Sequence, residues 1–178
     1  MAGGMLKSCT WLIRLMQLIF AIILVGAISY MIDQYRHYGW NVPKDLIVPE
    51  VFSVLAIIIS GLSMISIFFL GYSLQLVAAL LDVAMFAGYL ASSILLRDNY
   101  FRRSWMNPLW NELVWMRATN QDSRHERRNT GLVKLLVAFV VIQVVLFFTT
   151  TILSILVARK MEKEKRLDER KRGEHVNV

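Results

Sequence analysis

Residues 73–96 read SLQLVAALLDVAMFAGYLASSILL, an apolar stretch of helix length with one carboxylate, Asp82, near its middle. An ionisable group in hydrocarbon costs at least about 2.5–3.5 kcal/mol on insertion scales, so this stretch predicts companion segments arranged to shelter it. Three further apolar blocks qualify, at residues 11–32, 50–70 and 132–158. Blocks of this length pass the limit of about 18 apolar residues above which a bilayer span is the default reading. The predicted fold is all-α, an integral membrane four-helix bundle with four transmembrane helices. A short interfacial helix in the third loop and a charged C-terminal helical extension complete it. Residues 1–160 form the membrane domain and 161–178 a basic tail.

Hydrophobic residues make up 56% of the 178, which leaves no soluble core of useful size outside the blocks. The formal charge of +7 invites a nucleic-acid reading, but the basic residues avoid the blocks and gather in one loop and the tail. Without a folded basic surface interleaved with exposed aromatics, anionic lipid headgroups are the simpler partner, and no nucleic acid is expected. Cys9 is the single cysteine, so no intramolecular disulfide can staple the loops, which weighs against claudin-like and tetraspanin-like folds.

Along the chain, a basic start before residues 11–32 resembles a signal peptide, but the run is too long and no small-residue cleavage pattern follows, so it reads as a retained first span. Trp11 belongs at one interface, and Arg14, a turn further in, is expected to snorkel back to headgroups. Ala2 stands where myristoylation needs glycine. Cys9, just before Trp11, is a candidate for S-acylation, with an unmodified thiol as the alternative. Residues 33–48 form a polar connection with Tyr35, Tyr38 and Trp40 as boundary aromatics. Pro49 suits the first turn of the second span, where its missing N–H costs nothing.

Residues 71–73 allow only a tight turn, so the second and third spans form an antiparallel hairpin. Folding back at Tyr72 brings Ser60, Gly61 and Ser63 to the depth of Asp82 and makes Ser60 and Ser63 its first expected hydrogen-bond partners. Gln17 and the reach of Arg14 approach the same level, while Gln143 lies about two turns further out. Ala84, Gly88 and Ser92 form a small-residue ridge for close helix packing, with Ala56 and Ser60 as the facing groove. Asn107 and Pro108 read as the cap and first turn of a short helix over 107–118, lying on the membrane with Trp105, Trp110 and Trp115 near the headgroups. A partner-docking surface is the alternative for the same tryptophans. Residues 120–130 are expected to be mobile and the last residues disordered. Glu162 with Arg166 and Asp168 with Arg172 stand at the i, i+4 spacing of a helix leaving the bilayer.

Four spans put both termini on one side. The tail from 159 to 172 carries eight Lys or Arg and the third connection seven, so the positive-inside rule is nearly balanced. His37, His125 and His175 are scattered, with no pair at metal-ligating spacing on a helix, and neither a glycine-rich phosphate loop nor a nucleophile beside a base is present. No catalytic, cofactor or metal residues are assigned. Asp82 reads as a protonated or hydrogen-bonded carboxyl fixing helix register, with proton or ion handling as the competing role. On the first reading, Asp82→Asn preserves folding.

Arg14 and Gln17 opening the first span, the aromatic loop after Tyr30, the turn at 71–73, and Leu81, Asp82 and Val83 leading to Gly88, Tyr89 and Ala91 together resemble the MARVEL-type four-span proteins, particularly their fungal members. The resemblance covers about residues 8–160. It implies cytosolic termini in the plasma membrane or endomembranes, and a non-enzymatic role in lateral membrane organisation, membrane apposition or trafficking. The expected partners are membrane lipids, including anionic headgroups at the basic tail, and other membrane proteins or further copies of the chain. An accessory subunit of a larger transporter, channel or enzyme, docking through the tryptophan-rich loop, is the alternative.

Overall fold

A computed structural model describes residues 2–69, 72–100, 106–115 and 123–176, with side chains described at 8–64, 77–100, 106–115, 131–156 and 159. The elements are α1 (Ala2–His37), α2 (Lys44–Phe69), α3 (Tyr72–Leu95) continued by a 3-10 turn (Leu96–Asn99), α4 (Pro108–Trp115) and α5 (Ser123–Val176). Four stretches within these helices are long and apolar enough to cross a membrane: Ser8–His37, Lys44–Met64, Val77–Asn99 and Gly131–Leu156. α1 packs between α2 and α5, and α3 between α2 and α5, so α1 and α3 face each other across the bundle.

Each spanning helix buries one stripe at alternating three- and four-residue steps. On α1 it is Arg14, Gln17, Ala21, Leu24, Ile28, Met31 and Tyr35; on α3, Asp82, Met85, Tyr89 and Ser92, continued by Leu96 of the 3-10 turn. On α5 it runs Val133, Leu136, Val140, Gln143, Phe147, Thr150 and Ser154, and on α2 it includes Ser53, Ala56, Ser60 and Ser63. This 3.5-residue period is the seam of a left-handed bundle. The outward surface, with Leu62, Leu80, Ile94 and Val145 among the most exposed, is the more apolar one. Polar side chains admitted to the core and an apolar exterior mark a helix bundle solvated by lipid.

Helix ends depart from expectation in several places. α1 closes on Gly39, whose positive φ of 69° lets Trp40 N–H reach Tyr35 O (2.9 Å) and Gly39 N–H reach Arg36 O (3.1 Å), a Schellman closure. Pro43, not Pro49, opens α2, with Leu46 N–H bonded to Pro43 O at 3.1 Å; Pro49 lies inside the helix. Hydropathy misplaced this start because Lys44 and Asp45 are polar, whereas helical hydrogen bonding is indifferent to polarity. α5 begins at Ser123, so residues 123–130, expected to be mobile, are helical, as is the tail through Val176.

Candidate functional site

The buried stripes bring together the two buried charged groups among the described residues, about one to two turns inside the end where the chain begins. Arg14 and Asp82, 1% and 0% exposed, form a two-pronged ion pair in which Nη1 donates to Oδ1 and Nη2 to Oδ2. Since Arg14 is on α1 and Asp82 on α3, the pair crosses the bundle and ties its two opposite helices. Arg14 therefore does not snorkel to headgroups: once α3 offers a carboxylate within reach, a bidentate charge-assisted contact outweighs a return to the interface. α5 completes the cluster. Ser154 Oγ donates to Asp82 Oδ2 (3.2 Å), Gln17 Nε2 donates to Thr150 Oγ1 (3.2 Å), and Gln143 Nε2 donates to the Gln17 carbonyl (2.9 Å). Arg14 Nη1 also approaches Gln17 Oε1 at 3.4 Å.

The partners expected from α2 do not take part. Ser60 Oγ is buried without a hydrogen-bond partner among the described residues, and Ser63, though buried, stands outside the network. Ser154 takes the place expected for them, and Thr150 bonds Gln17 beside it. The signal that finds them is periodic: the polar residues Gln143, Thr150 and Ser154 of α5 share one 3.5-residue stripe with the core residues Leu136, Val140 and Phe147.

The small-residue ridge divides. Gly88 and Ser92 are buried, while Ala84 is exposed toward lipid and Gly61 is half-buried with open space around it. The side chain that fills the notch at Gly88 is Phe52 of α2, not Ala56 or Ser60; a Cβ at position 88 would overlap its ring. Deeper in the core, Tyr89 stacks on Phe147 (5.5 Å between centroids) and its hydroxyl donates to Ser53 Oγ (3.3 Å).

At the opposite end of the bundle α4 forms a cap. Leu109 and Leu113 are buried, Leu109 N–H is bonded to Asn99 Oδ1 (3.0 Å), and Tyr35 Oη donates to Glu112 Oε2 (2.8 Å). The apolar face of α4 thus turns to the bundle end rather than down onto the bilayer, because α5 and the 3-10 turn with its buried Leu96 supply an apolar seat. Trp110 is half-buried against the core, Trp115 is 72% exposed, and Trp105 lies outside the described residues. Cys9 is exposed near the start of α1. Among the described residues no group of three or more His, Cys, Asp or Glu could hold a metal ion.

The arrangement does one thing chemically: it neutralises two charges inside an apolar solvent and fixes the register of three helices around them. A family model for MARVEL, described as a membrane-associating domain, matches residues 6–153. Comparison with curated proteins and with solved structures returned no match.

Proposed function

The chain belongs to the MARVEL family of membrane-associating domains, and from that premise we propose that it is a non-enzymatic organiser of membranes, acting through helix packing and lipid contact. It is a multi-pass membrane protein. The observation that carries the reading is the Arg14–Asp82 pair: the two fully buried charges that a transport route would use are instead neutralised against each other and flanked by Gln17 and Ser154, while Glu50 of α2 is held by the Ser29 hydroxyl. The broad apolar exterior is then the working surface, available to lipids, to further copies of the chain and to other membrane proteins. On this reading the termini face the cytosol, the membrane is the plasma membrane or an endomembrane, and Arg159 with the residues next to it meets anionic headgroups.

Reconstitution tests it. Purified protein in giant vesicles should cluster or sort among lipid phases, as read by fluorescence microscopy, while the same vesicles hold a pH gradient and a potassium gradient. A flux that disappears in an Asp82 variant would replace this reading with transport. A second reading, an accessory subunit, draws on Trp115, whose ring is 72% exposed on a helix otherwise docked to the bundle. A stoichiometric partner in gentle detergent that is lost from the Trp110→Ala, Trp115→Ala double variant would favour it.

A further inference from the structure

α5 does not end where its apolar stretch ends. The apolar run of the sequence closes at Ala158, yet the same helix runs on to Val176. The intervening sequence has no proline, and its one glycine, Gly173, falls in the final turn. Charged residues occupy nearly every position from Arg159 to Arg172, and opposite charges recur at i, i+4: Lys160 and Glu164, Glu162 and Arg166, Lys165 and Glu169, Asp168 and Arg172. Met161 and Leu167 are too sparse to make a coiled-coil seam. A helix charged throughout and supported by such pairs is a semi-rigid spacer.

Helix continuity fixes how far the charges stand from the bilayer. α5 is held between α1 and α3, so its extension leaves along the bundle. At a rise of 1.5 Å per residue, Arg159 and Lys160 lie about 1.5–3 Å beyond Ala158, within a headgroup layer about 5–7 Å deep. Arg170, Lys171 and Arg172 lie about 18–21 Å beyond it. Even at a tilt of about 20°, this leaves the distal triplet more than about 10 Å above the headgroups, beyond one Debye length at physiological ionic strength. The proximal charges meet the protein's own membrane, and the distal ones are screened from it.

We propose that the α5 extension is a stand-off rod whose distal basic cluster, Arg170, Lys171 and Arg172, binds the anionic surface of a second, opposed bilayer. The inference rests on the membrane-organising reading and adds the partner surface. A sheet of anionic headgroups suits the cluster because it needs only charge, where a protein helix would need the apolar seam this segment lacks. Rods from neighbouring copies engage the same sheet, so weak single contacts add through effective concentration.

The test uses the full-length chain in neutral phosphatidylcholine vesicles, mixed with protein-free vesicles that contain phosphatidylserine. Two-colour cross-correlation should show tethering to these acceptors, none to neutral ones, and loss in high salt. The variant R170E/K171E/R172E should bind acceptors about a hundredfold more weakly. Glu162→Gly, Lys163→Pro and Glu164→Gly together break the rod; tethering by this variant should be lost once phosphatidylserine is also placed in its own bilayer, whereas the unbroken chain keeps it. The proposal is overturned if the triple reversal tethers like the wild type, if the unbroken chain is quenched by its own phosphatidylserine as fully as the broken one, or if a polyglutamate peptide outcompetes the acceptor vesicles. Lateral clustering is read in the same samples by energy transfer. Clustering without tethering overturns the rod alone, and tethering without clustering overturns the broader reading instead.

Discussion

Asp82 and Arg14 illustrate why a buried charge is judged by its partner. With Arg14 absent from consideration, Asn at position 82 looks harmless; with the pair in place, it strands a guanidinium that is 1% exposed. Breaking one side of a buried pair costs about 3–5 kcal/mol, whereas replacing both members by apolar residues of similar volume is often neutral. Asp82→Asn and Arg14→Gln should therefore each lower the thermal midpoint in detergent markedly, and Arg14→Met with Asp82→Leu should recover most of it. A double variant as unstable as the sum of the singles would mean the two side chains act independently. Asp82 was legible from sequence as the only carboxylate deep in an apolar block. Its partners were less so. Hydropathy does not say which way a long side chain such as Arg14 turns, and Ser154 approaches only once the helix phase of α5 is known, across a connection whose length hides it.

At the level of elements, the close approach of α2 and α3 depends on Phe52 lying where Gly88 has no side chain. Gly88→Ala forces that ring aside and should cost about 1–3 kcal/mol, the usual range for overpacking, with Phe52→Leu restoring part of the loss. Gly61 meets nothing within 4 Å, so Gly61→Ala is the control; relief of helical glycine entropy should leave it neutral or about 0.5–1 kcal/mol more stable. Thermal denaturation of the three variants in one detergent decides whether the notch or glycine itself matters. The α4 cap gives a separate prediction. Tyr35→Phe deletes the hydroxyl that holds Glu112 and should weaken docking by about 0.5–1.5 kcal/mol. Amide exchange in α4 should accelerate while that of the α1 core stays fixed. The existence of α4 was legible from Asn107 and Pro108, but its seat was not, since an apolar helical face suits a bilayer and a bundle end equally well.

For the whole molecule, the layout of four spans was legible because lipid demands long apolar blocks, and block length is a property of sequence alone. Sidedness is not of that kind: eight basic residues in the tail against seven in the third connection leave the orientation rule nearly without leverage. The fold nevertheless makes a sharp relative statement. Cys9 near the start of α1 and Trp115 at the end of α4 are both exposed and stand at opposite ends of the bundle, since the chain crosses it an odd number of times, through α1, α2 and α3, between them. In sealed, uniformly oriented vesicles, a membrane-impermeant maleimide applied from one side should label either Cys9 or, in the variant Cys9→Ser with Trp115→Cys, position 115, and never both. Because Cys9 is the only cysteine, the background is clean. Labelling of both positions from the same side would mean that α4 does not cap the far end, and the four-span threading would have to be abandoned. Run in intact cells, the same pair of proteins gives the absolute orientation, with Cys9 expected to be protected from reagent added outside.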